Sequence, residues 1–172
     1  LDTFGQIDVL FNNAGYGIYK PFADSTPEDW ALDINVNLYG TLNCTRAVIN
    51  HMIERHYGKI INIISDAARV GEPSLSTYSA AKAGMAGFAR TLAKEVGRYG
   101  INVNCVSLGT IKTPLIEPLL TPEFEQKMVK SYPLKRLGLP EEPARMAVFL
   151  ASDQCGWVTG QVIPVNGGYA TI

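Results

Sequence analysis

Residues 7–15 read IDVLFNNAG, a largely apolar run followed by two asparagines, an alanine and a glycine. Such a run predicts a buried strand over residues 7–11, and the Asn-Asn-Ala-Gly that follows it predicts a turn. Two further strands of this kind are predicted in KIINIIS at 59–65 and INVNCVS at 101–107. Apolar strands that alternate with helices indicate a parallel sheet covered on both faces, and hence an α/β fold.

The segments between these strands have helical patterns. Residues 30–57 carry apolar side chains at helical spacing, and residues 77–99 predict a long Ala-rich helix. A helix over 143–151 and a short strand over 161–165 close the chain. Between 109 and 143 six prolines break the sequence, and one short helix is predicted at 122–131. We therefore expect a substrate lid over residues 112–140.

Composition excludes several classes of protein. The 172 residues have a formal net charge of -1 with Lys and Arg scattered singly, so no basic stripe predicts binding to nucleic acid or a membrane surface. No apolar run is long enough to span a bilayer. The three cysteines are far apart, which predicts neither a disulfide framework nor a metal site. We expect one cytoplasmic domain over 1–172.

Tyr78 and Lys82 are the pair with the clearest chemistry. Four residues apart in the helix predicted at 77–99, they lie on one face about 6 Å apart along the axis. A free tyrosine has a pKa of about 10, and a nearby ammonium lowers it by roughly 1–3 units. Ser65, at the end of the preceding strand, is placed to donate a hydrogen bond to a substrate oxygen. Together the three residues supply a proton relay and a group that polarises the substrate oxygen, which hydride reduction of a carbonyl requires.

The Tyr-x-x-x-Lys spacing alone is weak, because it occurs twice. Tyr16 and Lys20 share it, but glycines and a proline surround them, so we expect them in a loop. Each residue grouped with Tyr78 and Lys82 also has an ordinary structural explanation. Asn12 is common in turns, Asn37 is compatible with a buried amide, and Ser65 is compatible with a strand end.

The ordered set of motifs is more specific than any single residue. NNAG at 12–15, VNLYG at 36–40, the set Ser65, Tyr78 and Lys82, INVNCVSLG at 101–109 and VTGQVIPVNGG at 158–168 follow in order. In this order the sequence resembles the short-chain dehydrogenase/reductase family over essentially its whole length. The resemblance implies a Rossmann-like fold, a three-layer doubly wound parallel sheet.

The resemblance also implies roles for individual residues. Tyr78 would donate or accept the proton, and Lys82 would lower the pKa of Tyr78 and hold the nicotinamide ribose. Ser65 would orient the substrate oxygen, and Asn37 would hold a water that links Lys82 to solvent. The residues implied to contact NAD or NADP are Asn12, Ala14, Gly15, Tyr78, Lys82, Gly109, Ile111 and Thr113.

Two departures from the family pattern are visible. Leu108-Gly109 stands where the family usually has Pro-Gly, and we expect leucine to loosen this turn modestly. The glycine-rich phosphate turn Gly-x-x-x-Gly-x-Gly of the family does not occur in these residues. We therefore expect the parent protein to have an additional N-terminal part, and this chain by itself to be inactive.

The resemblance predicts an NAD(P)-dependent oxidoreductase for a carbonyl or secondary alcohol, with 3-oxoacyl thioesters and cyclic alcohols as equal substrate candidates. A catalytically inactive binding or scaffold protein is the alternative. Arg69 is either a contact for an anionic substrate group or a surface residue. The lid has five apolar residues that either contact an apolar substrate or pack the lid on the body: Leu115, Ile116, Leu119, Leu120 and Met128. A homotetramer or homodimer is implied, through the two long helices and the last strand.

Overall fold

Four parallel strands form the centre of the structure, a computed structural model that describes residues 1–172 apart from the side chain of Leu119. The strands pair in the order β1-β2-β3-β4, and each pairing is parallel. Each of the four predicted strands is present. Their bounds are β1 (Val9–Asn12), β2 (Gly58–Ser65), β3 (Ile101–Leu108) and β4 (Val162–Val165).

Helices cover both faces of this sheet, because β2 and β3 carry apolar side chains on both. On one face α2 (Gly40–Arg55) and α4 (Ser76–Val96) pack on a core that includes Met52 and Met85. On the other face α6 (Glu141–Ala151) packs against β2 and β3. The predicted three-layer, doubly wound α/β fold is confirmed.

The helix predicted over 30–57 is divided into three parts. It consists of α1 (Pro27–Asp33), a π-helical turn at Ile34–Tyr39, and α2. α1 begins at a capping box, in which the side chains of Thr26 and Asp29 each accept a hydrogen bond from the other residue's backbone N–H. The π-helical turn is a wider turn of a kind that is frequent at functional sites.

The remaining elements are short. α3 (Ala67–Val70) follows β2, and α4 continues as a 3-10 turn at Gly97–Tyr99 that ends at Gly100. Gly100 has a φ of 71°, a left-handed conformation that suits glycine. Further 3-10 turns lie at Phe22–Asp24 and Asp153–Cys155.

The segment predicted as a lid contains a 3-10 turn at Glu117–Leu119 and α5 (Pro122–Val129), which confirms the short helix. Lys112 Nζ lies 2.5 Å from Glu125 Oε1, and this ion pair joins the start of the segment to α5. Ile111 and Gly138 form a bridge, so the two ends of the segment meet. That the segment is a substrate lid stays a prediction. Of its predicted apolar residues Ile116, Leu120 and Met128 are half-buried and Leu115 is exposed, while the side chain of Leu119 lies outside the described residues.

Within the described part of the chain, no helix has the length and apolar character needed to cross a membrane. Among the same residues, no three His, Cys, Asp or Glu side chains are grouped as a metal ion would require. The single domain over 1–172, the homo-oligomer and the cytoplasmic location stay predictions.

Candidate active site

The carboxyl ends of the four strands meet at one edge of the sheet. β1 ends at Asn12, β2 at Ser65, β3 at Leu108 and β4 at Val165. Ligands of open parallel sheets bind outside this edge. The candidate residues that follow these strands therefore lie where a ligand is expected.

Tyr78 lies in the first turn of α4, and neighbours from other elements enclose its ring. Gly17, in the loop between β1 and α1, lies against it, since a Cβ built on Gly17 would be 2.9 Å from Tyr78 Cδ2. Burial raises the pKa of Tyr78 above its usual 10; the neighbouring Ser65 hydroxyl opposes this rise, and the charge of Asp33 adds to it. The structure thus brings Ser65 and Tyr78 together, as the sequence predicted.

Lys82 lies one turn further along α4, on the same face as Tyr78. It is 3% exposed, and its Nζ donates a hydrogen bond to the backbone oxygen of Ile63 at 2.8 Å. The same Nζ lies 5.7 Å from the centroid of the Tyr78 ring. Because burial disfavours the ammonium, the pKa of Lys82 falls from 10.5 to about 8. That Lys82 lowers the pKa of Tyr78 stays a prediction.

Gly15 brings the turn after β1 close to Lys82 and Asn37. A Cβ built on Gly15 would lie 3.0 Å from Lys82 Nζ and 3.1 Å from Asn37 Oδ1. Asn37 is fully buried, and its Nδ2 donates to the backbone oxygens of Tyr16 at 2.7 Å and Asp33 at 2.8 Å. Asn37 therefore ties the loop after β1 to the helix. Its predicted role in holding a water stays a prediction.

Asn12 is directed into the structure rather than outward. Its Nδ2 donates to Asn62 Oδ1 at 2.8 Å and to Thr45 Oγ1 at 3.2 Å. These bonds brace β1 against β2 and α2. Ala14 and Gly15, by contrast, are exposed. Of the three residues after β1 that the sequence predicted to contact the cofactor, Ala14 and Gly15 are therefore the accessible ones.

Gly109, Ile111 and Thr113 are half-buried beyond the carboxyl end of β3, on the same edge as Ser65. A cavity of about 410 Å³ is lined by Gly109 and Ile111 among others, whereas Thr113, Ser65 and Tyr78 do not line it. Contact of Gly109, Ile111 and Thr113 with a nicotinamide stays a prediction.

Similarity to known proteins identifies the family. A family described as enoyl-(acyl carrier protein) reductase matches residues 1–170. The chain belongs to the short-chain dehydrogenase/reductase family. It is 47% identical over 169 residues to the (2S)-[(R)-hydroxy(phenyl)methyl]succinyl-CoA dehydrogenase subunit BbsD of Thauera aromatica, over 98% of this chain and 67% of that protein.

Two other relatives of this short-chain dehydrogenase/reductase extend the comparison. A 3-oxoacyl-[acyl-carrier-protein] reductase FabG of Thermotoga maritima is 44% identical, over 98% of this chain and 68% of that protein. A solved structure of a putative gluconate dehydrogenase from Agrobacterium tumefaciens matches with a TM-score of 0.93 and 34% identity, over 97% of this chain and 66% of that one. The chain thus spans about two thirds of the length of the relatives it matches.

The turn after β3, where this family member has Leu108, is held by Tyr132. The buried Tyr132 hydroxyl accepts a hydrogen bond from the backbone N–H of Thr110 at 2.7 Å and donates to Thr110 Oγ1 at 3.0 Å. Its ring stacks on Tyr169, with the centroids 5.1 Å apart, and a Cβ on Gly109 would be 3.1 Å from its hydroxyl. These contacts hold the turn in place, and the loosening expected from the missing proline stays a prediction.

Arg69 is engaged within the chain. Its Nη1 lies 3.1 Å from Asp66 Oδ1 in an ion pair, and its Nη2 donates to the backbone oxygen of Ile172. Asp66 also accepts hydrogen bonds from Ser107 and Asn166, so it joins the ends of β2, β3 and β4. These contacts favour a structural role for Arg69 over contact with an anionic substrate.

Three residues at this site, Gly17, Asp33 and Tyr132, are not singled out by the motifs. Gly17 and Tyr132 act through contacts distant in sequence, for which the sequence contains no local pattern. Asp33, by contrast, belongs to a local sequence pattern. It is the first of four polar residues spaced four apart along the helix, all of which are buried in the structure: Asp33, Asn37, Thr41 and Thr45.

Replacing Gly17 with alanine is expected to lower kcat by about 10–100-fold, because the added Cβ displaces the Tyr78 ring that it would approach at 2.9 Å. Steady-state kinetics measure the loss. The matched control is Gly97→Ala, where no heavy atom lies within 4 Å of the new Cβ and the backbone is helical. If the Gly17→Ala variant had the same kcat as the Gly97→Ala variant, the close packing of Gly17 on the Tyr78 ring would have no effect on turnover.

Proposed function

We propose that the intact protein is a nicotinamide-dependent oxidoreductase that interconverts a carbonyl compound and a secondary alcohol, with Tyr78 as general acid and base. The observation that carries this proposal is the grouping of Ser65, Tyr78 and Lys82 at the carboxyl edge of the sheet. These are the groups that proton transfer to a substrate oxygen requires. The relatives reported above, a reductase and two dehydrogenases by name, support the same reaction class.

The residues of this edge fit a bound NAD or NADP. Within the described residues, Lys82 Nζ makes a single hydrogen bond, to Ile63, which leaves ammonium donors for ribose hydroxyls. A side chain at Gly15 would crowd that ammonium, because its Cβ would lie 3.0 Å from Lys82 Nζ. When bound, the cofactor supplies or accepts the hydride.

The protein's own groups handle the proton. The phenol of Tyr78, whose pKa burial raises above 10, is protonated at neutral pH, and this form protonates a carbonyl oxygen during reduction. Ser65 Oγ accepts a hydrogen bond from the backbone N–H of Ala67 at 3.1 Å, so its hydroxyl hydrogen is available for the same substrate oxygen. Lys82, with a pKa of about 8, carries most of its positive charge at pH 7.

We further propose a 3-oxoacyl thioester, or the matching 3-hydroxyacyl thioester, as the substrate class. Two relatives support this choice through their names, one a dehydrogenase of a coenzyme A thioester and one a reductase of 3-oxoacyl groups on acyl carrier protein. The half-buried Ile116, Leu120 and Met128 of the predicted lid offer apolar surface for an acyl chain.

The test is reduction of acetoacetyl-CoA by the intact protein with NADH and, separately, with NADPH, followed by nicotinamide absorbance. We expect turnover on the order of 1–10³ s⁻¹ with the preferred cofactor. A cyclic ketone and a keto sugar acid serve as comparison substrates. Turnover of either of these without turnover of the thioester would overturn the substrate class. Cofactor binding by fluorescence, without turnover of any substrate, would favour the inactive binding protein instead.

A further inference from the structure

Asp33 is a buried carboxylate beside Tyr78 that the proposed reaction does not use. It is the last residue of α1 and is 0% exposed. Its Oδ1 accepts a hydrogen bond from the backbone N–H of Ile18 at 3.1 Å, and its Oδ2 accepts one from Thr77 Oγ1 at 2.5 Å. The carboxylate therefore joins the loop between β1 and α1 to the first turn of α4.

The charge of Asp33 is not needed for these two hydrogen bonds. An asparagine could accept the bond from Ile18 with its amide oxygen and donate to Thr77 with its amide nitrogen. Among the residues that the structure describes, no Lys, Arg or His lies within 4 Å of the carboxylate as an ion-pair partner. Burying an unpaired charge is costly, so the charge itself requires an explanation.

The surroundings of Tyr78 supply that explanation. Its neighbours are Ser65 from β2, Gly17 from the loop, Asp33 at the end of α1, and Lys82 from its own helix. Only Asp33 and Lys82 among them carry charge, and the charge of Lys82 declines above its pKa of about 8. A negative charge disfavours a second one nearby, so Asp33 opposes the loss of the proton from Tyr78.

We propose that Asp33 is a positioning residue of this site, which fastens the Gly17 loop to the first turn of α4 and places a negative charge next to Tyr78. The proposal rests on the proposed function where it names Tyr78 as the acid and base. Its electrostatic part concerns the free protein and does not depend on turnover.

The direct test is titration of Tyr78 in the intact protein and in Asp33→Asn. Tyrosinate absorbance is measured against pH for each, and the same curve from the matching Tyr78→Phe protein is subtracted to isolate Tyr78. We expect the midpoint to fall by about one pH unit in Asp33→Asn, because a nearby negative charge is removed while both hydrogen bonds are kept. This readout is unaffected if the protein turns over no substrate, so it separates failure of this proposal from failure of the proposed function.

Activity gives a second readout. Tyr78 is the titrating group in both reduction and oxidation. In Asp33→Asn the alkaline limb of the kcat/KM profile for reduction and the acid limb for oxidation should therefore both shift to lower pH by about one unit. Asp29→Asn is the matched control, because Asp29 lies on the same helix but is partly exposed and paired with Lys20; it should move neither limb.

Thr77→Val keeps the charge of Asp33 but removes the hydrogen bond that Thr77 donates to its carboxylate. Because that bond disperses the negative charge, the midpoint of the Tyr78 titration should rise. This variant also tests the proposal if Asp33→Asn does not fold. An unmoved midpoint in a folded Asp33→Asn protein, or a downward shift in Thr77→Val, would overturn the proposal. A lower melting temperature with no change in either titration would show that Asp33 is only a structural tie.

Discussion

Phenylalanine at Tyr78 is expected to lower kcat by about 10²–10⁴-fold, the range that a positioned general acid contributes. The variant keeps the ring that packs against Gly17 and removes only the hydroxyl next to Ser65. Packing and substrate contacts of the ring are therefore retained, and we expect KM and cofactor affinity to change little. Steady-state kinetics in both directions, with cofactor binding measured by fluorescence, check the three quantities separately.

The control for this variant is Tyr19→Phe, which makes the same chemical change at a side chain that is 67% exposed in the loop between β1 and α1. Its kcat should match that of the unmodified protein. If the Tyr78→Phe protein turned over at a near-normal rate, another group would have to deliver the proton, and the assignment would be wrong.

The pair Tyr78 and Lys82 shows how far sequence reasoning can go. The helix that carries it has a local pattern, so its presence and the shared face of the two residues could be predicted. Tyr16 and Lys20 have the same spacing, but they lie in a loop, where Lys20 pairs with Asp29 at 2.8 Å. Helical context, which the flanking glycines and proline already indicated, separates the two pairs.

What the sequence could not predict depends on contacts between distant segments. The pKa of Tyr78 is raised by its burial, which arises from tertiary packing and not from its spacing to Lys82. Tyr132 holds Thr110, 22 residues earlier, and no local pattern connects the two. The first long helix is divided at the π-helical turn, where the Asn37 side chain bonds to Tyr16 in the preceding loop.

Lys82 is expected to lower the stability of the fold and to be necessary for the reaction. Its pKa falls from 10.5 to about 8 because it is buried, which corresponds to a penalty of about 3 kcal/mol for the charged form in the folded protein. Methionine has a similar length and no charge. Lys82→Met should lower kcat/KM by about 10²-fold or more. It should also raise the free energy of unfolding at pH 7 by about 2 kcal/mol, once the lost hydrogen bond to Ile63 is subtracted.

The pH dependence of this gain has a definite sign. Below pH 8 Lys82 is protonated in both the folded and the unfolded protein, and the full penalty applies. Between about 8 and 10.5 the unfolded protein binds more protons than the folded one, so the stability of the unmodified protein rises with pH and the advantage of Lys82→Met shrinks.

Thermal unfolding at a series of pH values measures this difference, and at pH 7 we expect a rise in Tm of roughly 4–8 °C. Lys20→Met is the matched control, because Lys20 is partly exposed in a surface ion pair, and its removal should change stability by less than about 1 kcal/mol at any pH. A lower Tm for Lys82→Met at pH 7, or a gain that persists unchanged to pH 10.5, would mean that the buried ammonium is stabilised by the fold. A higher Tm together with lost activity would show that stability is given up at this position in order to keep a charge at the site.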